Sequence, residues 1–583
     1  MSSQLRCNIC GVSFNIGRVR RPDEPPAAAW DGFSTGYVLS YSSQFLEGSC
    51  PKSAQCMSVF RIPLYSAKDL NGKHGFQEEM DDLEDDDDYV PECSESDESL
   101  AIYTPSQNSL ENDSVSDDVE RNEPEVSSSL LRTSNEAYCH FLHLLEHPAE
   151  DFEMRLHHTD WSLATDLSSA KNPLTTVPDF QTEHIAGGSD CRINCLGLEG
   201  GGYNGHAISF EDMRWCKTAQ FLVRKTDQWC TAPDDEDFER LGHHFLSGLS
   251  DYVPHCDFKP EVFPPRHNVS SPNGQNVIMS FEDGQDYAMP FHPACLEVFK
   301  RTSLHRHGHI DIEGLANWWL LEATQQIFHD FPRHSAVQKG RSWYHIDGDE
   351  FLAANPCFIT QLPDVLAAAE RLDNESIDAS PPSKSEHIWL GCTDVFSVLP
   401  PELRNLILIS LSSLDVANLR LASRTFRQIP QHIFRLLTLR EMPWLWEAWS
   451  TLDYSFWAST TGDELATRTK QHQERLKSLQ SAVEILMEEG YNGSEQRNLN
   501  EAAISTVQSL IECVQAEGAT IYQRTTAPLL LADETNWYRL RCELAQNSSS
   551  ILGLRNRRRI WKDCEEILDR IERWRAEGKI IAG

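Results

Sequence analysis

Residues 394–440 read DVFSVLPPELRNLILISLSSLDVANLRLASRTFRQIPQHIFRLLTLR. Pro400 and Pro401 fix the backbone at a helix start, where the missing N–H costs nothing. Leu403, Leu406, Ile407 and Leu411 follow at helical spacing. Ser412 and Ser413 break the run, and Asp415, preceded by Leu414, is placed to cap a second helix. Leu419, Leu421 and Ala422 make that helix apolar. Phe426 and Ile429 suggest a third, ended by Pro430. Three helices this short cannot hide so many large apolar side chains on one another. The excess implies a covering surface, either another part of this chain or another protein.

Outward from this segment the chain falls into regions. Residues 372–393, with the stretch LDNESIDASPPSKSE, read as a linker. Residues 441–583 are helical by periodicity. Leu476, Leu479, Val483 and Leu486 share a face, with Gly490 as a stop. Ile504, Val507, Ile511 and Val514 form a second stripe, and Ile560, Cys564, Ile567, Ile571 and Trp574 a third. None runs over many heptads, so the stripes read as packed core rather than partner-seeking seams. The RNRRR run at 555–559 reads as a solvated helix face, with a nuclear-import or phosphate patch as the alternative. Upstream, residues 130–371 mix Gly- and Pro-punctuated stretches with helical ones, GLANWWLLEATQQIFHDF and LPDVLAAAERL among them. Residues 1–75 form an N-terminal region.

Between these last two lies an acidic segment, 76–129. From Glu78 to Glu125 there are 20 acidic residues and one basic residue, Arg121, a net of −19. That is half of the chain's formal charge of −38, from 89 acidic and 51 basic residues in 583. Such a segment repels itself and buries too little apolar surface to offset chain entropy, so disorder is expected. The overall charge argues against nucleic-acid phosphates or an anionic membrane as partners. No apolar run approaches the ~18–20 residues that span a bilayer, and the first residues lack a secretory pattern. The chain reads as soluble and intracellular, in the cytoplasm, the nucleus or both. Its 17 cysteines, an odd number, then suggest reduced thiols and metal ligands rather than a disulfide framework.

Cys7-Asn8-Ile9-Cys10-Gly11 has the form of a zinc knuckle: two thiolates grip one ion, and the glycine permits a tight turn. The best completing pair is His292 and Cys295 in FHPACLEVFKR, where Pro293 suits a first helical turn and Leu296 and Phe299 form an apolar face. One knuckle plus two ligands on a helix start is the layout of a treble-clef finger. The separation in sequence is no bar, since loop-closure cost grows only logarithmically. Two alternatives stay open: a knuckle with other partners, such as Cys50 and Cys56 or Cys191 and Cys195, and plain thiols.

Two resemblances follow. LPPELRNLILISLSSLDVANLRLASRTFRQIP is similar to an F-box: a Leu-Pro-x-Glu-Leu start, a central Leu-Asp, then Leu-Arg-Leu-Ala-Ser-Arg and an aromatic residue. Phe426 stands where tryptophan is common, and a second proline follows the first. The CxxCG knuckle, the later aromatic-His-x-x-Cys segment and the ending GLRNRRRIWKDCEEILDRI together resemble a group of fungal F-box proteins. With the periodicity and charge above, the chain is expected to be mainly α with a smaller α+β N-terminal region, an acidic disordered insertion and a helical C-terminal domain, around what the resemblance implies is a three-helix F-box. It implies docking to a Skp-type adaptor, and through it a cullin, by Leu399, Pro400, Leu403, Ile407, Leu411, Leu414, Leu419, Leu421, Ser423 and Phe426. About half of the Leu and Ile residues are expected to pack internally instead. An unknown protein substrate would be held by the flanking regions.

Enzyme signatures are missing: no GxxxxGK[ST], HExxH, GxSxG or EF-hand loop occurs. GLEGGGYNG at 197–205 reads as a loop, His305, His307 and His309 as a polar turn, and HIDGDE at 345–350 lacks calcium-loop spacing. Nothing marks a ubiquitin-transferring cysteine, so a non-catalytic role is expected. The rival readings are a zinc-containing enzyme, a zinc-dependent interaction module unrelated to ubiquitin, and a zinc-dependent nucleic-acid binder.

Overall fold

The computed structural model describes residues 6–14, 16–30, 56–61, 154–157, 181–191, 202–251 (without 228 and 233), 266, 288–324, 331–339, 346, 348–370, 394–489 and 494–580. The acidic segment 76–129 and the linker 372–393 lie outside the described residues, as do Cys50 and Cys195. The strands are β1 (Gly17–Val19), β2 (Met57–Arg61), β3 (Met154–His157), β4 (Gln181–Ile185), β5 (Gly202–Asn204), β6 (Gln220–Arg224), β7 (His244–Leu246) and β8 (Ala288–Phe291). The first helices are α1 (Phe210–Met213), α2 (Asp237–Leu241), α3 (Pro293–His307), α4 (Ile312–Thr324), α5 (Ser335–Lys339) and α6 (Leu362–Ala368). There follow α7 (Pro401–Ser410), α8 (Ser413–Ala422), α9 (Gln431–Glu441), α10 (Gly462–Glu489), α11 (Ser494–Thr520), α12 (Trp537–Asn547) and α13 (Leu552–Ala576). The architecture is mainly helical with small sheets, as expected.

Two compact units divide the chain. One is Ser58–Glu183, where the described strands follow the order β3-β2-β4. The other joins Met1–Met57 to His184–Gly583. Regions separate in the sequence reading share one core in this larger unit. Ile9, Phe245, Phe299, Trp318, Trp446 and Trp561 belong to a single buried cluster.

At its centre stands α3. Pro293 occupies its first turn, and Gly308, with φ of 74°, ends it in the left-handed conformation that glycine adopts without strain. Residues 293–303 are buried all round. One side meets α13, and β8, antiparallel to β6, leads directly into it. The charged residues within this buried stretch are paired: Glu297 with Arg301, and Lys300 with Glu236 at 3.0 Å.

The C-terminal stripe is core, as expected. Ile560, Cys564, Ile567 and Ile571 of α13 are fully buried, and Trp574 is half-buried. The RNRRR run, however, is no solvated face. Arg555 and Arg558 are exposed, but Arg557 and Arg559 are buried. Arg557 faces Glu447 at 2.9 and 3.0 Å, both side chains being 0% exposed. The stripes of α10 and α11 also depart from expectation. The two helices pack along each other, and of the eight stripe residues only Val514 is buried. They make a two-helix arm whose seam is its own.

The 394–440 segment forms its helices with two shifts. Ser412, not Asp415, caps α8: its hydroxyl accepts the Asp415 N–H at 3.2 Å and donates to the Asp415 carboxylate at 2.7 Å. Pro430 opens the third helix, α9, instead of closing one, because a residue without an N–H is tolerated at a helix start. Arg424–Phe426 make only a single 3-10 turn.

Candidate functional site

The knuckle is built by backbone geometry. Cys7 donates its N–H to Val12 O at 2.9 Å, and Gly11 donates to Cys7 O at 2.8 Å. The turn needs φ of 75° at Gly11, which a side chain would strain. Two peptide N–H groups aim at the Cys7 sulfur: that of Cys10 at 3.5 Å and that of His292 at 3.4 Å. Asn8 N–H donates to Pro290 O at 3.0 Å, which ties the knuckle to β8. β8 then delivers His292 and the first turn of α3 delivers Cys295.

The four expected ligands therefore meet across 282 residues of sequence. Cys7, Cys10, His292 and Cys295 are buried, and their donor atoms all lie within 4.8 Å of one another. His292 Nδ1 is 3.6 Å from Cys10 Sγ and 3.8 Å from Cys295 Sγ. Around a tetrahedral ion with ~2.3 Å bonds to sulfur, ligand edges are about 3.8 Å, so the set fits with slight contraction. The other imidazole nitrogen, Nε2, sits 2.8 Å from Cys216 O. A carbonyl only accepts, so Nε2 carries the proton and Nδ1 is left free to ligate. Phe14 and Trp215 flank the ring at 4.5 and 4.9 Å.

The electrostatics suit a cation. Burial pushes the Cys10 thiol up, but hydrogen bonds from Cys295, Cys7 and His292 outweigh it and hold the group well below the usual thiol range. Burial pushes His292 down, yet the Cys7 and Cys10 sulfurs bring it up to about 10. Burial and the same two neighbours drive Cys295 far up. Such a cluster shares protons among its donors, and a metal ion takes the place of those protons. This buried group can hold a metal ion. It is the group of that kind among the described residues. His305, in the last turn of α3, packs between Trp449 and Trp561. Cys56 and Cys191 lie in a small apolar cluster with Val19 and Ala186.

Residues missed in the sequence surround the knuckle. The carbonyls of Asn8, Ile9 and Cys10 lie among buried residues and take their donors from elsewhere in the chain. Arg333 donates to Asn8 O at 2.7 Å and also to Ile9 O. Arg559 donates to Cys10 O at 2.8 Å. Asp563 accepts from both guanidiniums at 3.2 Å. For Arg559 and Asp563 the only sequence signal was the α13 stripe they flank, and Arg333, just before α5, had none.

The 394–440 segment offers a second candidate surface. Leu403, Leu414 and Leu421 are exposed, the last two at 72% and 86%, and Pro400 is exposed beside them. Leu399, Ile407, Leu411 and Leu419 are half-buried. Ser423 and Phe426 are buried and serve the segment itself. The Ser423 hydroxyl donates to Asp394 at 2.6 Å, and Phe426 packs edge-on against Phe396 at 5.2 Å. Leu406, Ile409, Val395 and Val398 were not singled out as contact residues, yet all four are exposed.

Compared with known proteins, the chain matches no family model, no curated protein and no solved structure. Among the described residues, no helix is long and apolar enough to cross a membrane.

Proposed function

We propose that the chain is a non-catalytic F-box substrate receptor of a Skp-cullin-F-box-type ubiquitin ligase. Residues 394–440 dock a Skp-type adaptor, and the flanking regions hold a protein substrate. In this reading Cys7, Cys10, His292 and Cys295 bind zinc structurally: four protein donors leave no open position for the water that catalytic zinc needs.

The observation that carries the reading is the set of leucines left bare on α7 and α8. Leu403, Leu406, Leu414 and Leu421 stay exposed although the unit around them has a large core. Burying a leucine is worth ~1.5–3 kcal/mol, so a group of them in one short segment is a surface that a partner can use. The F-box resemblance supplies the partner. Such a receptor contributes by tethering, converting a two-body encounter into an intramolecular one.

The test is binding of a purified Skp-type adaptor to the full chain and to a Leu403→Asp, Leu414→Asp double variant. Both side chains are exposed, so the fold should survive. Loss of at least tenfold in affinity with an unchanged melting curve is expected. Adaptor binding that the wild-type chain lacks, or that the variant retains in full, sinks the ligase reading. A metal-stabilised interaction module unrelated to ubiquitin would then be favoured.

A further inference from the structure

The cysteine knuckle is not self-sufficient. Its turn is closed by its own backbone, but three successive carbonyls, of Asn8, Ile9 and Cys10, are held by two arginines from distant parts of the chain. We propose that Arg333 and Arg559 are positioning residues of the metal centre, so that the knuckle keeps its metal-binding shape only while α13 is docked on it. This rests on reading Cys7, Cys10, His292 and Cys295 as a metal site.

Two physical needs converge on these arginines. The first is hydrogen bonding. Asn8, Ile9 and Cys10 are buried, and a buried carbonyl left without a donor is costly, so the two arginines supply what the turn itself does not. The second is charge. A divalent ion on three thiolates and a neutral imidazole carries −1, and a buried net charge is expensive unless paired. Arg333 and Arg559 with Asp563 between them carry +1. The cluster and its surround are then neutral together.

The same contacts join the centre to the rest of the unit. Arg559 lies on α13 two residues after Arg557, whose guanidinium is buried against Glu447. Glu447 follows closely on α9, the third helix of the 394–440 segment. Coupling of this kind is reciprocal: if docked α13 favours metal, bound metal favours docked α13.

The experiment uses the full chain loaded with zinc. Zinc transfer to a chromogenic chelator is timed for wild type, Arg333→Gln, Arg559→Gln and Arg559→Lys. Cobalt substitution reports ligand geometry through its visible absorption. The control is Arg570→Gln, which breaks an ion pair with Glu322 further along the same helix without touching the knuckle. Removing an outer partner of a metal ligand typically costs 10–100-fold. The two Gln variants should lose zinc 10–100-fold more readily, Arg559→Lys less so, with Arg570→Gln near wild type. Should Arg559→Gln fail to fold, Arg333→Gln and the wild type still decide the matter. In wild type, chelation should speed amide exchange at the N-terminal half of α13. Metal held equally by wild type and all variants overturns the positioning role while leaving the site intact. A wild-type chain that binds no metal overturns both.

Discussion

Removing either partner of the Arg557–Glu447 pair should destabilise the large unit far more than removing both. Each side chain is 0% exposed, and the two guanidinium–carboxylate distances are 2.9 and 3.0 Å. Arg557 also donates to Pro356 O at 2.6 Å and Cys357 O at 3.2 Å, and its guanidinium lies 3.7 Å from the Trp446 ring centroid. Arg557→Met leaves the Glu447 carboxylate buried with no cation, which costs ~3–5 kcal/mol. Glu447→Leu strands the arginine, although its two carbonyl partners soften the loss to ~2–4 kcal/mol. In the double variant no charge is stranded. Two carbonyls lose a donor, and the cost falls to ~1–3 kcal/mol. The coupling is therefore favourable by a few kcal/mol. A double-mutant cycle by urea unfolding measures it, followed by fluorescence, since Trp446 reports from the site. Single-variant costs below ~1 kcal/mol, or costs that simply add, would mean that the pair is open to water and not the joint between α13 and α9.

Two further outcomes are expected. Leu408 is 2% exposed whereas Leu421 is 86% exposed, so Leu408→Ala should cost ~2–5 kcal/mol and Leu421→Ala under ~0.5 kcal/mol; equal costs by denaturant melts would contradict the packing of α7 against α9. Metal uptake should release protons, because, against the opposing effect of burial, the Cys7 and Cys10 sulfurs bring His292 up to about 10, and burial drives Cys295 far up. Both then carry protons at pH 7 that ligation expels, so affinity should fall roughly 100-fold as pH drops from 8 to 7; a flat profile in chelator competition would rule out thiolate and imidazole ligands.

The four residues of the candidate metal site were legible because each pair is a local pattern. CxxCG forms its turn from its own backbone, and H-x-x-C at a proline-started helix places two donors side by side whatever surrounds them. The helix periods of 394–440 and of the C-terminus were legible for the same reason. The errors there are also local: Ser412 caps in place of Asp415, and Pro430 starts a helix instead of stopping one. In both cases neighbouring residues compete for one role, and backbone geometry chooses between them.

Other features could not be read along the chain. The bare leucines of α7 and α8 and the buried Phe426 share one apolar pattern, and only the packing separates them. Arg557 and Arg559 sit in a run that reads as solvated, because sequence shows a charge but not the Glu447 carboxylate or the Cys10 carbonyl waiting opposite. Nor did periodicity reveal that the stripes of α10 and α11 cover each other while that of α13 enters the core. The sequence by itself determined the short-range events, helix spacing, turns and paired donors, since these depend on residues a few positions apart. The tertiary structure decided which polar groups lie inside and what joins the N-terminal knuckle to the last helix, because burial and charge pairing depend on neighbours hundreds of residues away.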